Sequence, residues 1–150
     1  VESRILEIKP FLNKVVSVHG GRHPELAEIA QLFNQTAGEL TMHMKKEEFI
    51  LFPFIRKMVK LKASGEPLTA SPFGTVQNPI TIMQQEHEAE GERFQKIASL
   101  TNTYTPPVDA CSTYKVTFAM LKEFEDDLHL HIHLENNILF PKSVEMERHF

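Results

Sequence analysis

Two short stretches of this 150-residue chain hold metal-binding residue types at one repeated spacing. His43-Met44-Lys45-Lys46-Glu47-Glu48-Phe49-Ile50-Leu51-Phe52-Pro53 returns as His131-Ile132-His133-Leu134-Glu135-Asn136-Asn137-Ile138-Leu139-Phe140-Pro141, an offset of 88 residues. Both copies read H-x-x-x-E-x-x-I-L-F-P. On a helix, residues i and i+4 share a face about 6 Å apart along the axis. Each copy therefore presents an imidazole beside a carboxylate, and two such pairs form a metal site built from halves. A third histidine, His87, lies on another apolar helical stripe.

A lone His–Glu pair on a helix is usually a solvated pair worth a few tenths of a kcal/mol. Here both pairs fall on apolar stripes, where an unpaired carboxylate is costly. Three buried imidazoles and two buried carboxylates need a hydrogen-bond network or metal ions. Imidazole with carboxylate and no thiolate suits iron or manganese better than zinc. Paired ions sit about 3.5–4 Å apart, a span two glutamates can bridge. Two divalent ions against two glutamates leave positive charge, so an oxo or hydroxo bridge is expected. The low ligand count leaves positions open for small molecules such as oxygen, nitric oxide or peroxide.

The elements that position these residues are helices. Ile5, Ile8, Leu12 and Val15 recur at steps of three and four, with Pro10 as an expected bend. The stretch from His19 to Pro24 breaks that helix. A second runs through Leu26, Ile29, Phe33, Thr36, Leu40, His43, Glu47, Ile50, Phe54, Met58 and Leu61, with a kink expected at Pro53. Residues 63–78 read as a loop, with Asn78-Pro79 as N-cap and first helical position. A third helix carries Ile80, Met83, His87, Phe94 and Ile97. After a loop at 101–107, a fourth carries Tyr114, Phe118, Leu121, Leu128, His131, Glu135 and Ile138. The expected fold is all-α, an up-down-up-down four-helix bundle formed as one domain by residues 1–150. The repeat offset carries the counterpart of His87 to a position just before Val1. The first helix is therefore expected to begin upstream and to bring one more histidine.

Other candidates rank lower. His129 and His133 point away from the face of His131, as residues two apart on a helix do. His19 and His23 sit in a turn, His19 being a minor candidate for a supplementary ligand, and His149 lies in the tail. Glu39, one turn before His43, is a candidate to support a ligand or line an entry path. Glu125 lies near His131, and Glu86, Glu88, Glu90 and Glu92 read mostly as a solvated acidic face. Hydrophobic content of 41% and charged content of 24% are ordinary for a globular protein, and a net charge of −4 argues against nucleic acid as partner. The apolar run Phe49–Ile55 is far short of a membrane span. Cys111, the only cysteine, excludes an internal disulfide and fits a reducing, cytoplasmic compartment.

These residues resemble the hemerythrin-like bundles, and within them the di-iron proteins that repair iron centres. The resemblance covers nearly the whole chain. It rests on Val18-His19, the two H-x-x-x-E blocks, Glu86-His87-Glu88-Ala89-Glu90-Gly91-Glu92, Thr105-Pro106-Pro107 with Ala110-Cys111, and Asp126-Asp127-Leu128. It implies that His43, His87 and His131 are iron ligands and that Glu47 and Glu135 bridge two irons. It also implies a further histidine on the first helix, which no residue here fills, and a small N-terminal domain with a cysteine pair, which this sequence lacks. Oxygen-carrying hemerythrins match less well, because they have a ligand one turn after the third-helix histidine, where Gly91 stands.

The function implied is repair of iron–sulfur clusters damaged by nitrosative or oxidative stress. Iron would be donated to iron–sulfur proteins, or nitric oxide would react at the di-iron site. The rivals are a hemerythrin-type oxygen or redox sensor, and a bundle with a satisfied polar core. A ferritin-like oxidase is disfavoured, because its motif places glutamate three before histidine. The recipient protein and oligomeric state are not legible in the sequence.

Overall fold

The four expected helical arms form, and two of them are interrupted by a wide turn at the same point of the repeat. In this computed structural model, which describes residues Val1–Phe150, α1 runs Glu2–His19 and α2 Glu25–Lys46. After a π-helical turn at Glu47–Leu51 the chain continues as α3, Phe52–Ser64. Then come α4 (Gln77–Leu100), α5 (Ser112–Leu134), a second π-turn at Glu135–Leu139, and α6 (Phe140–Arg148). The fold class is an all-α four-helix bundle, with no strand.

The two π-turns follow from the repeat. Pro53 and Pro141 have no N–H, so the regular i→i−4 ladder cannot run through them. The chain widens instead. The N–H of Phe52 reaches back five residues to the carbonyl of Glu47, and that of Phe140 reaches that of Glu135. The kink expected at Pro53 thus takes the form of one extra residue in the preceding turn. That residue rotates the helix register. Ile50 and Ile138, expected on the apolar stripe, are 50% and 43% exposed, whereas Leu51 and Phe140 are buried. Pro10, by contrast, lies within an uninterrupted α1.

Two compact units are distinguished. Val1–Thr41 and Ala89–His129 form the first. Its core is filled by Ile5, Ile8, Leu12 and Val15 of α1, Leu26, Ile29 and Phe33 of α2, Phe94 and Ile97 of α4, and Phe118, Leu121 and Phe124 of α5. Phe124 is the hub, edge-on to Phe33 and stacked on Phe94, each at 5.5 Å between ring centroids. The turn after α1 is tied down by His23, whose Nε2 is 3.0 Å from the carboxylate of Asp109.

Met42–Glu88 and Leu130–Phe150 form the second unit. Its core joins Leu51, Phe54, Met58, Val76, Ile80, Met83 and Phe140. Gly65 ends α3 in the left-handed region, φ 72°, where a side chain would be strained. Asn78 is not an N-cap: α4 starts at Gln77, and the Asn78 amide donates to the carbonyl of Phe73 at 2.8 Å.

Replacing Phe33 by Ala removes a fully buried ring from the hub and should lower unfolding free energy by about 3–5 kcal/mol. The same change at the fully exposed Val108 should alter it by less than about 0.5 kcal/mol. Urea denaturation of the two variants checks this.

Candidate metal centre

Glu47 is the first residue of one π-turn and Glu135 the first of the other, so the wide turns set where both carboxylates project. His43 lies one turn earlier on α2, and His87 projects from α4. One ligand atom from each of His43, Glu47, His87 and Glu135 lies within 4.8 Å of the other three, and all four residues are buried. Nε2 of His43 is 2.9 Å from Oε1 of Glu47, and Nε2 of His87 is 3.1 Å from Oε1 of Glu135. The two Nε2 atoms are themselves 3.1 Å apart.

Short distances do not make these groups a satisfied network. Oε1 of Glu47 and both oxygens of Glu135 are buried with no aligned hydrogen bond. The nearby imidazole nitrogens therefore approach them off the N–H axis. Carboxylates left this way in an apolar interior are costly unless a cation completes them. Two imidazoles and two carboxylates converging on one point are a donor set for a divalent transition metal, and the residues fit one.

His131 differs from its repeat counterpart. Its side chain is 51% exposed, and its Nε2 is 3.7 Å from Oε1 of Glu135. Of the five residues expected to bind metal, four converge and His131 stands at their solvent edge. The expectation that both histidines of the repeat are buried alike is corrected here. His43 is enclosed because α4 supplies His87 and Glu86 against its ring, while His131 meets only its own Glu135.

Two residues beside the cluster were not singled out from sequence for this position. Oε2 of Glu86 is 3.3 Å from Nδ1 of His43, and Oε1 of the same carboxylate accepts from Lys46 at 2.8 Å. Oδ1 of Asn136 is 2.8 Å from Nδ1 of His87. The acidic run around His87 is accordingly not one solvated face. Glu88 and Glu92 are exposed, Glu86 is half-buried, and Glu90 is buried against Arg93. Glu39 accepts from Arg93 at 2.7 Å, and Glu125 takes the hydroxyl of Tyr104. His129, His133 and His149 are exposed, and Nε2 of His19 is 3.2 Å from Sγ of Cys111.

The electrostatics match a cluster short of positive charge. Burial pushes the Glu47 carboxyl up to about 7, with the neighbouring Glu135 adding to the effect and His43 opposing it. Burial also works against the charged form of Glu135, but His87, Glu47 and His131 together hold it below the usual carboxylate range. Burial opposes a charged His43, yet Glu47 and Glu86 outweigh it and raise that imidazole above the ordinary histidine range.

The hemerythrin HHE cation-binding domain family matches residues 4–143. The chain belongs to that family. A relative from Haemophilus influenzae, named a probable iron-sulfur cluster repair protein, is 39% identical over 137 residues, covering 91% of this chain and 55% of its own length. The iron-sulfur cluster repair protein YtfE of Yersinia pseudotuberculosis is 38% identical over 141 residues, covering 94% of this chain and 58% of its own. The chain thus spans a little over half the length of these relatives. No helix is long and apolar enough to cross a membrane.

The raised Glu47 carboxyl fixes a sign. Between its ordinary value of 4.5 and about 7, the folded metal-free protein holds a proton that the unfolded chain has released. Stability therefore falls as pH rises through that window. His43 acts in the same direction, since its folded-state value is raised and its contribution is lost as pH rises. Urea midpoints of chelated protein should drop between about pH 5 and pH 8. Glu47→Gln should flatten the drop, and added metal should reverse it.

Proposed function

We propose that this chain holds two iron ions and takes part in the repair of iron–sulfur clusters damaged by nitric oxide or peroxide. The observation that carries this reading is the buried convergence of His43, Glu47, His87 and Glu135 around carboxylate oxygens that lack hydrogen-bond donors. The similarity to iron-sulfur cluster repair proteins supports the repair role. Glu47 and Glu135 would bridge the irons, with an oxo or hydroxo group as a further bridge. His43 and His87 would cap them from the buried side, and His131 would serve as the ligand at the solvent edge. Bound iron would supply one-electron chemistry and would also be the cargo delivered to an iron–sulfur acceptor.

The residues suit a site that releases what it holds. His131 is half-exposed and meets the cluster through one 3.7 Å approach, so a ligand contact there breaks without unpacking the interior. On the buried side, His43 and His87 are held at their Nδ1 edges and stay in place when iron leaves. The single cysteine supports a reducing, cytoplasmic setting. An oxygen-carrying or redox-sensing module is the rival reading. Gly91 stands where such a module needs a ligand, and no distance around the cluster favours it.

Iron-replete protein should carry about two irons per chain by elemental analysis. It should also restore the absorbance of an apo-ferredoxin on mixing in the presence of inorganic sulfide and a thiol reductant. His43→Ala and Glu135→Ala should each lower iron affinity by at least about 10–100-fold. His131→Ala should leave the buried ligands filled and change the release rate. No iron in the protein would defeat the metal reading, and iron without transfer to the acceptor would defeat the repair reading.

A further inference from the structure

The end of α2, the first π-turn and α3 form one continuous helical arm, and this arm carries positive charge that nothing neutralises. The chain has 20 acidic against 16 basic residues, yet α3 holds Arg56, Lys57, Lys60 and Lys62 and no acid. Lys45 and Lys46 precede them, Glu47 is buried, and the exposed acid of the stretch is Glu48. The lysine and arginine ion pairs of the molecule are made by Arg4, Arg22, Lys46, Arg93, Lys122 and Arg148. Lys45, Arg56, Lys57 and Lys60 make none. Lys57 meets the neutral hydroxyl of Thr69 at 2.6 Å and keeps its charge.

Apolar surface lies among these cations. Phe49 is 75% exposed, and Ile50 and Ile82 are each about half exposed. Ile50 and Ile82, with Phe73, Pro79 and Met83, line an apolar recess of about 430 Å³, which Lys46 also borders. Steps of four lead from Lys45 through Phe49 and Pro53 to Lys57, so cations flank the protruding ring along one side of the arm. An apolar centre inside a charged border is the anatomy of a protein–protein contact. The centre supplies the hold, and the border supplies register and encounter rate.

We propose that this face docks an acidic protein surface, that of the iron–sulfur acceptor: Lys45, Arg56, Lys57 and Lys60 pair with its carboxylates, and one of its apolar side chains fills the recess beside Phe49. The identity of the partner rests on the repair reading above, which makes the recipient of iron a protein. A polyanion fits worse. The chain as a whole carries a net charge of −4, so a long duplex or an anionic bilayer repels most of it, whereas carboxylates clustered on a protein can meet the stripe alone. The arm also bears His43 and Glu47, so a partner held there rests on the segment that supplies two of the four converging residues.

Surface plasmon resonance against an immobilised acidic apo-ferredoxin, with the chain iron-loaded and metal-free, tests the docking face. Reversing Lys45, Lys57 and Lys60 together to Glu should slow association about 10–100-fold at low ionic strength. Added salt should erase most of that difference. Phe49→Ser should speed dissociation about 10-fold. Reversing the exposed Lys14 and Lys115 should change neither rate. In iron transfer, the triple reversal should raise the acceptor concentration needed for half-maximal rate. It should leave the maximal rate, the iron content, the urea midpoint and iron loss to a small chelator as they were. An unchanged association rate in the triple reversal overturns the proposal, as does an equal loss from the Lys14 and Lys115 reversal. No binding of the acidic protein overturns it too. Binding of phosphatidylglycerol–phosphatidylcholine vesicles or of duplex DNA in its place overturns the assignment to a protein partner. Charge-dependent binding of the apo-ferredoxin without iron transfer defeats the repair reading and leaves the docking face standing.

Discussion

Two carboxylates buried side by side are the constraint on which the second unit is built. Glu47 and Glu135 would separate into solvent if their helices allowed it, since like charges in a poorly solvated interior are strongly unfavourable. They are kept together because each begins a π-turn whose other residues supply the core: Leu51 from one and, just beyond the other, Phe140. Apolar packing thus holds in place a charge arrangement that is unfavourable without a cation. Energy stored in this way is available to whatever ion completes the site.

The first unit contains the contrasting case. Glu90 is as buried as Glu47 and Glu135, but the guanidinium of Arg93 pairs with one of its oxygens and opposes the burial that raises its carboxyl, and Arg93 reaches Glu39 as well. That is how a buried acid is accommodated when its role is structural, with a permanent cation three residues along the same helix. No lysine or arginine contacts Glu47 or Glu135. The nitrogens beside them belong to imidazoles, which can offer lone pairs to a metal.

What the sequence made legible was the part governed by periodicity. The helical arms, their order, and His43, Glu47, His87 and Glu135 on inward faces all follow from steps of three and four. Harder to see was the effect of Pro53 and Pro141 on register, because a proline late in a helix signals a disruption without saying whether the chain bends or widens. That choice moved Ile50 and Ile138 outward and Leu51 inward. Exact repetition also misled in one place. Identical motifs imply identical burial only when their surroundings repeat, and α4 covers His43 while nothing comparable covers His131. Asn136 and Glu86 were invisible for another reason: a polar residue next to a ligand has no periodic signature, and only the fold shows which imidazole edge it meets.

A closed shell of buried ligands, each clamped by a second residue, holds a metal tightly and gives it up slowly. Here the clamps fall on one side. His43 and His87 are fixed at Nδ1 by Glu86 and Asn136, and His87 also by the ring of Phe140. The His131 side chain is half-exposed, and its Nε2 is 3.7 Å from Oε1 of Glu135. The duplicated motif therefore yields one fixed wall and one yielding edge. An ion would leave through that edge while the wall keeps the geometry to which the next one returns.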